Sequence, residues 1–175
     1  MIKLNSRSKK LNVVVLSLGS NIGNRQENLR KAIIGLNSAG LEILKISSIY
    51  ETEPVGFKDQ DNFYNIILTT EYSKEPYKLL SEIHKIETEL GRVREFKNSP
   101  RTIDIDIVTF NDQKIDNESL IIPHKEYMNR KFVLIPLAEI EPDFMFRDNR
   151  TVRETLDECK DNTLVKKLFR LDDEI

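Results

Sequence analysis

Pro100-Arg101-Thr102-Ile103-Asp104-Ile105-Asp106-Ile107-Val108 is the stretch from which the rest of the chain is read. Its strict alternation predicts a β-strand with Ile103, Ile105 and Ile107 on one face and Thr102, Asp104, Asp106 and Val108 on the other. The isoleucine face belongs to a core. The opposite face carries two neighbouring carboxylates, which repel each other, in a residue type that strands disfavour. A divalent cation removes that repulsion, and Mg2+ is commonly held by one or two carboxylates together with substrate phosphates. Arg101 precedes the pair, and a guanidinium matches phosphate oxygens two at a time. The run therefore reads as a metal-and-phosphate platform. A half-exposed strand with two solvated aspartates fits the same spacing, because D-x-D alone is a weak signal.

Upstream of this strand the pattern is regular. Val13–Leu18 is a short apolar run that predicts a buried strand, ended by Gly19-Ser20-Asn21. Asn24 caps a helix with Glu27 in the capping-box position, and Gly40 closes it. Ile43–Tyr50 is a second strand, Glu51–Asn62 a loop broken by Pro54 and Gly56, and Phe63–Tyr72 a third strand. Ser73 is placed as the cap of a second helix with Pro76 in its first turn and Leu79, Leu80, Ile83, Ile86 and Leu90 as its apolar stripe. His84 and Glu87, one turn apart on it, read as a surface pair. Gly91 stops the helix, and the polar, basic segment Arg92–Ser99 leads to the aspartate strand.

Downstream, Asn111-Asp112 is a turn and Lys125–Arg130 a charged segment behind His124. A helix is expected over Phe132–Ile140, and a last one over Val152–Lys160, with Thr151 and Glu154 as its capping box. The order to Phe110 is β-α-β-β-α-β. This predicts an α+β, ferredoxin-like antiparallel sheet with helices on one face and a C-terminal extension.

The 175 residues suit one domain, taken as residues 11–175, with residues 1–10 as a flexible tail. The net charge of −2 argues against a general nucleic-acid binder. Cys159 is the only cysteine and His84 and His124 the only histidines, so neither a disulfide nor a Cys/His metal cluster is expected. No apolar run is long enough to span a membrane. A cytoplasmic monomer is the expectation.

Four ordered blocks resemble the 6-hydroxymethyl-7,8-dihydropterin pyrophosphokinase family. They are Leu16–Asn24; Ser47–Gly56 with Gln60 to Asn65; Gly91–Arg94 through Pro100–Asp106; and Ile122–His124 through Asn129, Arg130 and Phe132. The resemblance implies transfer of the β,γ-pyrophosphoryl unit of ATP to the pterin hydroxymethyl group, with release of AMP. Asp104 and Asp106 resemble the ligands of two Mg2+ ions. Arg92 and Arg101 resemble catalytic arginines alongside them. His84, Glu87, Arg94, Arg101, Ile107, His124 and Arg130 resemble the ATP side. Thr52, Val55, Phe63, Asn65 and Phe132 resemble the pterin side. The segment Arg92–Arg101 is expected to act as a lid, with Phe96 as its only aromatic.

Two other classes share the element order. An RNA-recognition module needs aromatics on its first and third strands and a basic face, and Val13–Leu18 supplies no aromatic. A regulatory small-molecule domain has no use for Asp104, Asp106 and three nearby arginines together.

Overall fold

The computed structural model describes residues 11–93 and 99–171. At its centre lies β1 (Asn12–Ser20), antiparallel to both β4 (Phe63–Tyr72) and β5 (Asp104–Phe110). On its far side β4 carries β2 (Leu41–Ile46) and β3 (Tyr50–Thr52), and the short β8 (Val165–Lys167) extends the sheet beyond β3. A two-stranded hairpin, β6 (Ile115–Asp116) and β7 (Ile121–Ile122), follows β5.

The alternation of β1 divides the molecule into two cores. Val14, Leu16 and Leu18 face α1 (Arg25–Ser38) and α2 (Pro76–Glu89), which cover one side of the sheet with Leu29, Ile33, Leu36, Leu79, Ile83 and Ile86. Val15 faces the other way, with Ile67 and Val108, against α3 (Lys131–Ile140) and α4 (Val152–Glu158). The C-terminal extension thus puts helices on the second face of the sheet, in addition to the two on the face expected from β-α-β-β-α-β. Ile103, Ile105 and Ile107 join the first core as their alternation predicts. Val15 pairs with Thr109 but Leu16 with Ile107, so Val108 is an extra residue in β5. That bulge sends Val108 into the second core and returns Phe110 to the first.

Three expected boundaries shift for identifiable reasons. Ile43–Tyr50 is not one strand. At Ser47 the hydroxyl accepts from Ile67 N at 2.9 Å, and Ser48 N donates to the Glu139 carboxylate at 2.9 Å. Ile49 N then donates to Phe169 O. After Ser47, still bonded to Ile67 of β4, the backbone turns to Glu139 and Phe169 and re-enters the sheet as β3. Ser73 does not cap α2. Glu75 is extended, at φ −80° and ψ 157°, as the residue before a proline prefers, and the helix starts at Pro76 without a side-chain cap. The last helix ends at Glu158 rather than Lys160, though Thr151 and Glu154 do form the capping box at its start. Pro136 lies inside α3, and α3 holds because Val133, Leu134, Leu137 and Ile140 are buried against the sheet.

Helix α3 begins only at Lys131, so it covers one half of the second face. The other half is formed by Asp104 and Asp106 of β5, Ser17 and Gly19 of β1, Asn65 of β4 and Thr52 of β3, and it lies open.

Candidate active site

Register places the polar groups of that open half in rows. Asp104 pairs with Gly19, and Gly19 with Asn65 on its other side; Asp106 pairs with Ser17. Paired residues of an antiparallel sheet share a face, so both carboxylates and the amide project together.

Asp104 is the hub. Its two oxygens take Arg92 Nη2 at 2.7 Å and Arg101 Nε at 2.9 Å. Glu87, only 3% exposed on α2, receives Arg92 as well and accepts from Ile105 N at 2.9 Å. It is therefore not half of a surface pair. His84 stays exposed while Glu87 turns inward and links helix, strand and arginine. Gly91, at φ +77°, ends α2 and turns the chain so that Arg92 N reaches Glu87 O. Asp106 lacks a direct ion pair among the described residues. Burial pushes its carboxyl up to about 7, and repulsion from Asp104 adds to the rise. Burial also lowers His124, with the Arg130 charge acting the same way, so the imidazole is held toward its neutral form.

Arg101 is positioned through its backbone. Asn21 is buried in the turn after β1; its backbone N–H donates to Arg101 O at 3.1 Å, and its side-chain amide oxygen accepts from Arg101 N at 2.8 Å. The same side-chain amide donates to Gln60 Oε1 at 2.8 Å and to Asp61 O at 3.1 Å, tying the 53–62 loop to the arginine. Read from sequence as turn chemistry only, Asn21 is a supporting residue of the site.

Two cavities meet here. A cleft of about 640 Å³ runs along the free edge of β5, lined by His84, Glu87, Arg92, Ile107, His124 and Arg130 among others. A smaller cavity of about 330 Å³ lies over the open sheet face and is lined by Thr52, Val55, Phe63, Asn65 and Phe132. Arg101, Asp104, Asp106, Lys125 and Arg130 line both. Every residue named for the ATP side within the described chain lies in the first cavity, and every residue named for the pterin side lies in the second. Arg94 and Phe96 fall outside the described residues, and so does half of the expected lid, residues 94–98.

The small cavity has a fixed amide in its floor. Asn65 Nδ2 donates to Thr52 Oγ1 at 2.7 Å, which fixes the amide plane. Gly19 is required beneath it: a Cβ there would sit 3.0 Å from Asn65 Oδ1. Arg101 lies over the Phe63 ring at 5.0 Å and Arg130 over Phe132 at 5.5 Å. Sequence reading missed Ser17, Gly19, Glu53, Lys125 and Glu126 in the walls of this cavity. It also missed Leu80, Ser99 and the hairpin residues Glu118–Ile121 in the larger one. Only register and packing bring those positions in.

The donor set fits magnesium. No group of three or more His, Cys, Asp or Glu side chains is assembled as a metal cage among the described residues. Two adjacent carboxylates that leave the remaining positions to water and phosphate suit a hard, reluctantly dehydrated ion. Arg92 Nε, on a side chain that lines the larger cavity, is buried with no hydrogen-bond partner among the described residues, a deficit that phosphate or bound water would fill. No described helix is long and apolar enough to cross a membrane.

Comparison with known proteins points the same way. The family model described as 7,8-dihydro-6-hydroxymethylpterin-pyrophosphokinase matches residues 15–142. The chain is 48% identical over 130 residues to the 2-amino-4-hydroxy-6-hydroxymethyldihydropteridine pyrophosphokinase of Bacillus subtilis, covering 74% of this chain and 78% of that one. It is 46% identical over 132 residues to the folic acid synthesis protein fol1 of Pneumocystis carinii, covering 75% of this chain but only 18% of that larger protein. Among solved structures it is similar to a Plasmodium falciparum HPPK-DHPS, with a TM-score of 0.67 and 18% identity, over 87% of this chain and 46% of that one. The last likeness bears on the fold alone.

Proposed function

Because the chain belongs to the 7,8-dihydro-6-hydroxymethylpterin-pyrophosphokinase family, we propose that the two cavities hold ATP and 6-hydroxymethyl-7,8-dihydropterin and that transfer takes place where they meet. The reaction moves the β,γ-pyrophosphoryl unit of ATP to the pterin hydroxymethyl oxygen, in folate biosynthesis. A bond forms from that oxygen to the β-phosphorus, the bond from the β-phosphorus to the oxygen it shares with the α-phosphorus breaks, and AMP leaves with that oxygen. The hydroxyl proton passes to solvent.

The observation that carries this reading is the shared wall: Arg101, Asp104, Asp106 and Arg130 line both cavities. In the larger one, Ile107 and the β6–β7 hairpin flank the nucleotide, with His84 and His124 at its polar end. In the smaller one, Phe63 and Phe132 sandwich the pterin, while Asn65 and Thr52 read its polar edge. Asp104 and Asp106 would hold two Mg2+ ions with the triphosphate. When bound, magnesium neutralises phosphate charge and acidifies the attacking hydroxyl.

Arg92 and Arg101 gather the charge that develops on the transferring oxygens. Phosphoryl chemistry asks for positioning and electrostatics more than for covalent help. Both guanidiniums rest on Asp104. Substrate phosphates compete with that carboxylate for them, so the arginines are held near their working place before substrate arrives. The enzyme acts as a monomer in the cytoplasm.

The test mixes protein, ATP, Mg2+ and 6-hydroxymethyl-7,8-dihydropterin and follows the nucleotide products. AMP formed only when pterin is present supports the assignment; ADP, or AMP without pterin dependence, overturns it.

A further inference from the structure

Arg92 is paired with Glu87 and Asp104, Arg101 is paired with Asp104, and Arg130 lies over the Phe132 ring. Lys125 also lines both cavities, is exposed, and makes no ion pair within the described residues. Among the described residues it is a cation of the seam with no carboxylate partner. Its backbone is held on both sides. His124 N donates to Val108 O of β5 at 2.9 Å, and Tyr127 N donates to His124 O at 3.1 Å. Tyr127 is itself buried, with its ring 4.8 Å from that of Phe146. The Lys125 stem therefore starts from a fixed point, and its ammonium has freedom to reach a ligand.

Other carboxylates flank it: Glu126 and Glu53 in the walls of the small cavity and Glu118 in the large one. Glu53 is committed to Lys58 at 3.8 Å.

We propose that Lys125 is a further substrate-contacting residue, whose ammonium binds the pyrophosphoryl unit of the nucleotide as it lies across the junction of the two cavities. The inference rests on the pyrophosphokinase reading above and adds a residue to it. An ammonium on a flexible stem suits a group that moves from one cavity to the other, since it follows the phosphate as a point charge. The two arginines, held at Asp104, act from a fixed side.

The experiment compares the parent protein with Lys125→Gln and Lys125→Arg. Calorimetry measures binding of a non-hydrolysable ATP analogue with Mg2+ at two ionic strengths, and binding of pterin alone. The expected result is an affinity for the analogue about tenfold lower in Lys125→Gln, from loss of a charge-assisted contact. The salt dependence should be shallower, and pterin affinity unchanged. Lys125→Arg should restore most of the loss. Equal analogue affinity in the parent and in Lys125→Gln would overturn the role of Lys125 while leaving the pyrophosphokinase reading intact. Equal loss in both variants would overturn it too, since shape and not charge would then be read. A parent protein that does not bind the analogue at all would overturn both.

Discussion

Gly19→Ala tests whether the small cavity reads a heterocycle through Asn65. The glycine is not needed for its backbone angles; it is needed for space. An added Cβ would lie 3.0 Å from Asn65 Oδ1 and 3.6 Å from Phe63 Cδ1, so the amide must give by a few tenths of an ångström. It has little room, because Nδ2 is already held by Thr52 at 2.7 Å and both residues are buried. Either that bond lengthens or the amide rotates, and in both cases its polar edge leaves the pterin. Losing a hydrogen-bonded pairing in a buried site costs about 1–3 kcal/mol, or roughly 5- to 150-fold in affinity. We expect pterin binding by calorimetry to weaken about tenfold within that range, with the affinity for an ATP analogue within about twofold of the parent. Asn65→Ala should weaken pterin binding by a similar amount, and the double variant should bind no worse than Asn65→Ala alone, because the two act through one group. Unchanged pterin affinity in Gly19→Ala, or fully additive losses in the double variant, would refute the reasoning.

Other consequences are as direct. Asp104→Ala and Asp106→Ala should each abolish turnover while the fold survives, since both side chains stand off the isoleucine core; near-normal turnover in either would remove that carboxylate from the metal site. Asp106→Asn should also change stability with pH. The folded chain keeps the Asp106 proton up to about 7, while an unfolded aspartate loses it near 4, so the parent loses stability as pH rises through that window. The variant, which has no proton to lose, should match the parent below about pH 4 and exceed it above about pH 7 in urea titrations; a constant difference across pH would contradict the buried, raised carboxyl. Glu87→Ala should destabilise by about 3 kcal/mol, because it strands Arg92 and the Ile105 amide together, and an effect below about 1 kcal/mol by denaturant titration would show that the pair is solvated. Arg92→Ala should lower kcat far more than it raises the dissociation constant of either substrate.

How much of this was written in the local pattern depends on the residue. The β1–α1 start, the α2–β5 end, the isoleucine face of β5 and the Phe63–Tyr72 strand follow from alternation and spacing, because each element buries its own periodic face, whereas the single strand expected between α1 and β4 is two. The carboxylate pair was visible for the same reason: two aspartates opposite a core stripe stand out. Gly19 and Lys125 were not legible, since nothing in a glycine at a strand end or a lysine in a charged run marks a cavity wall. Their roles come from pairing of β1 with β4 and from the turn that brings His124 back to β5, both long-range contacts. Glu87 was misread as a surface residue because helical spacing gives its face but not the strand amide that awaits it. The break at Ser47 was hidden because its cause, Glu139, lies on α3.

The central claim is that both the β- and γ-phosphoryl groups leave ATP together for the pterin at the junction of the two cavities. The measurement that meets it most directly uses ATP labelled at its β-phosphorus, with Mg2+ and 6-hydroxymethyl-7,8-dihydropterin, and separates the products. The account predicts that the label appears in the pterin product at the rate at which AMP forms. Label left in ADP, with only the γ-phosphoryl group moved, would contradict it.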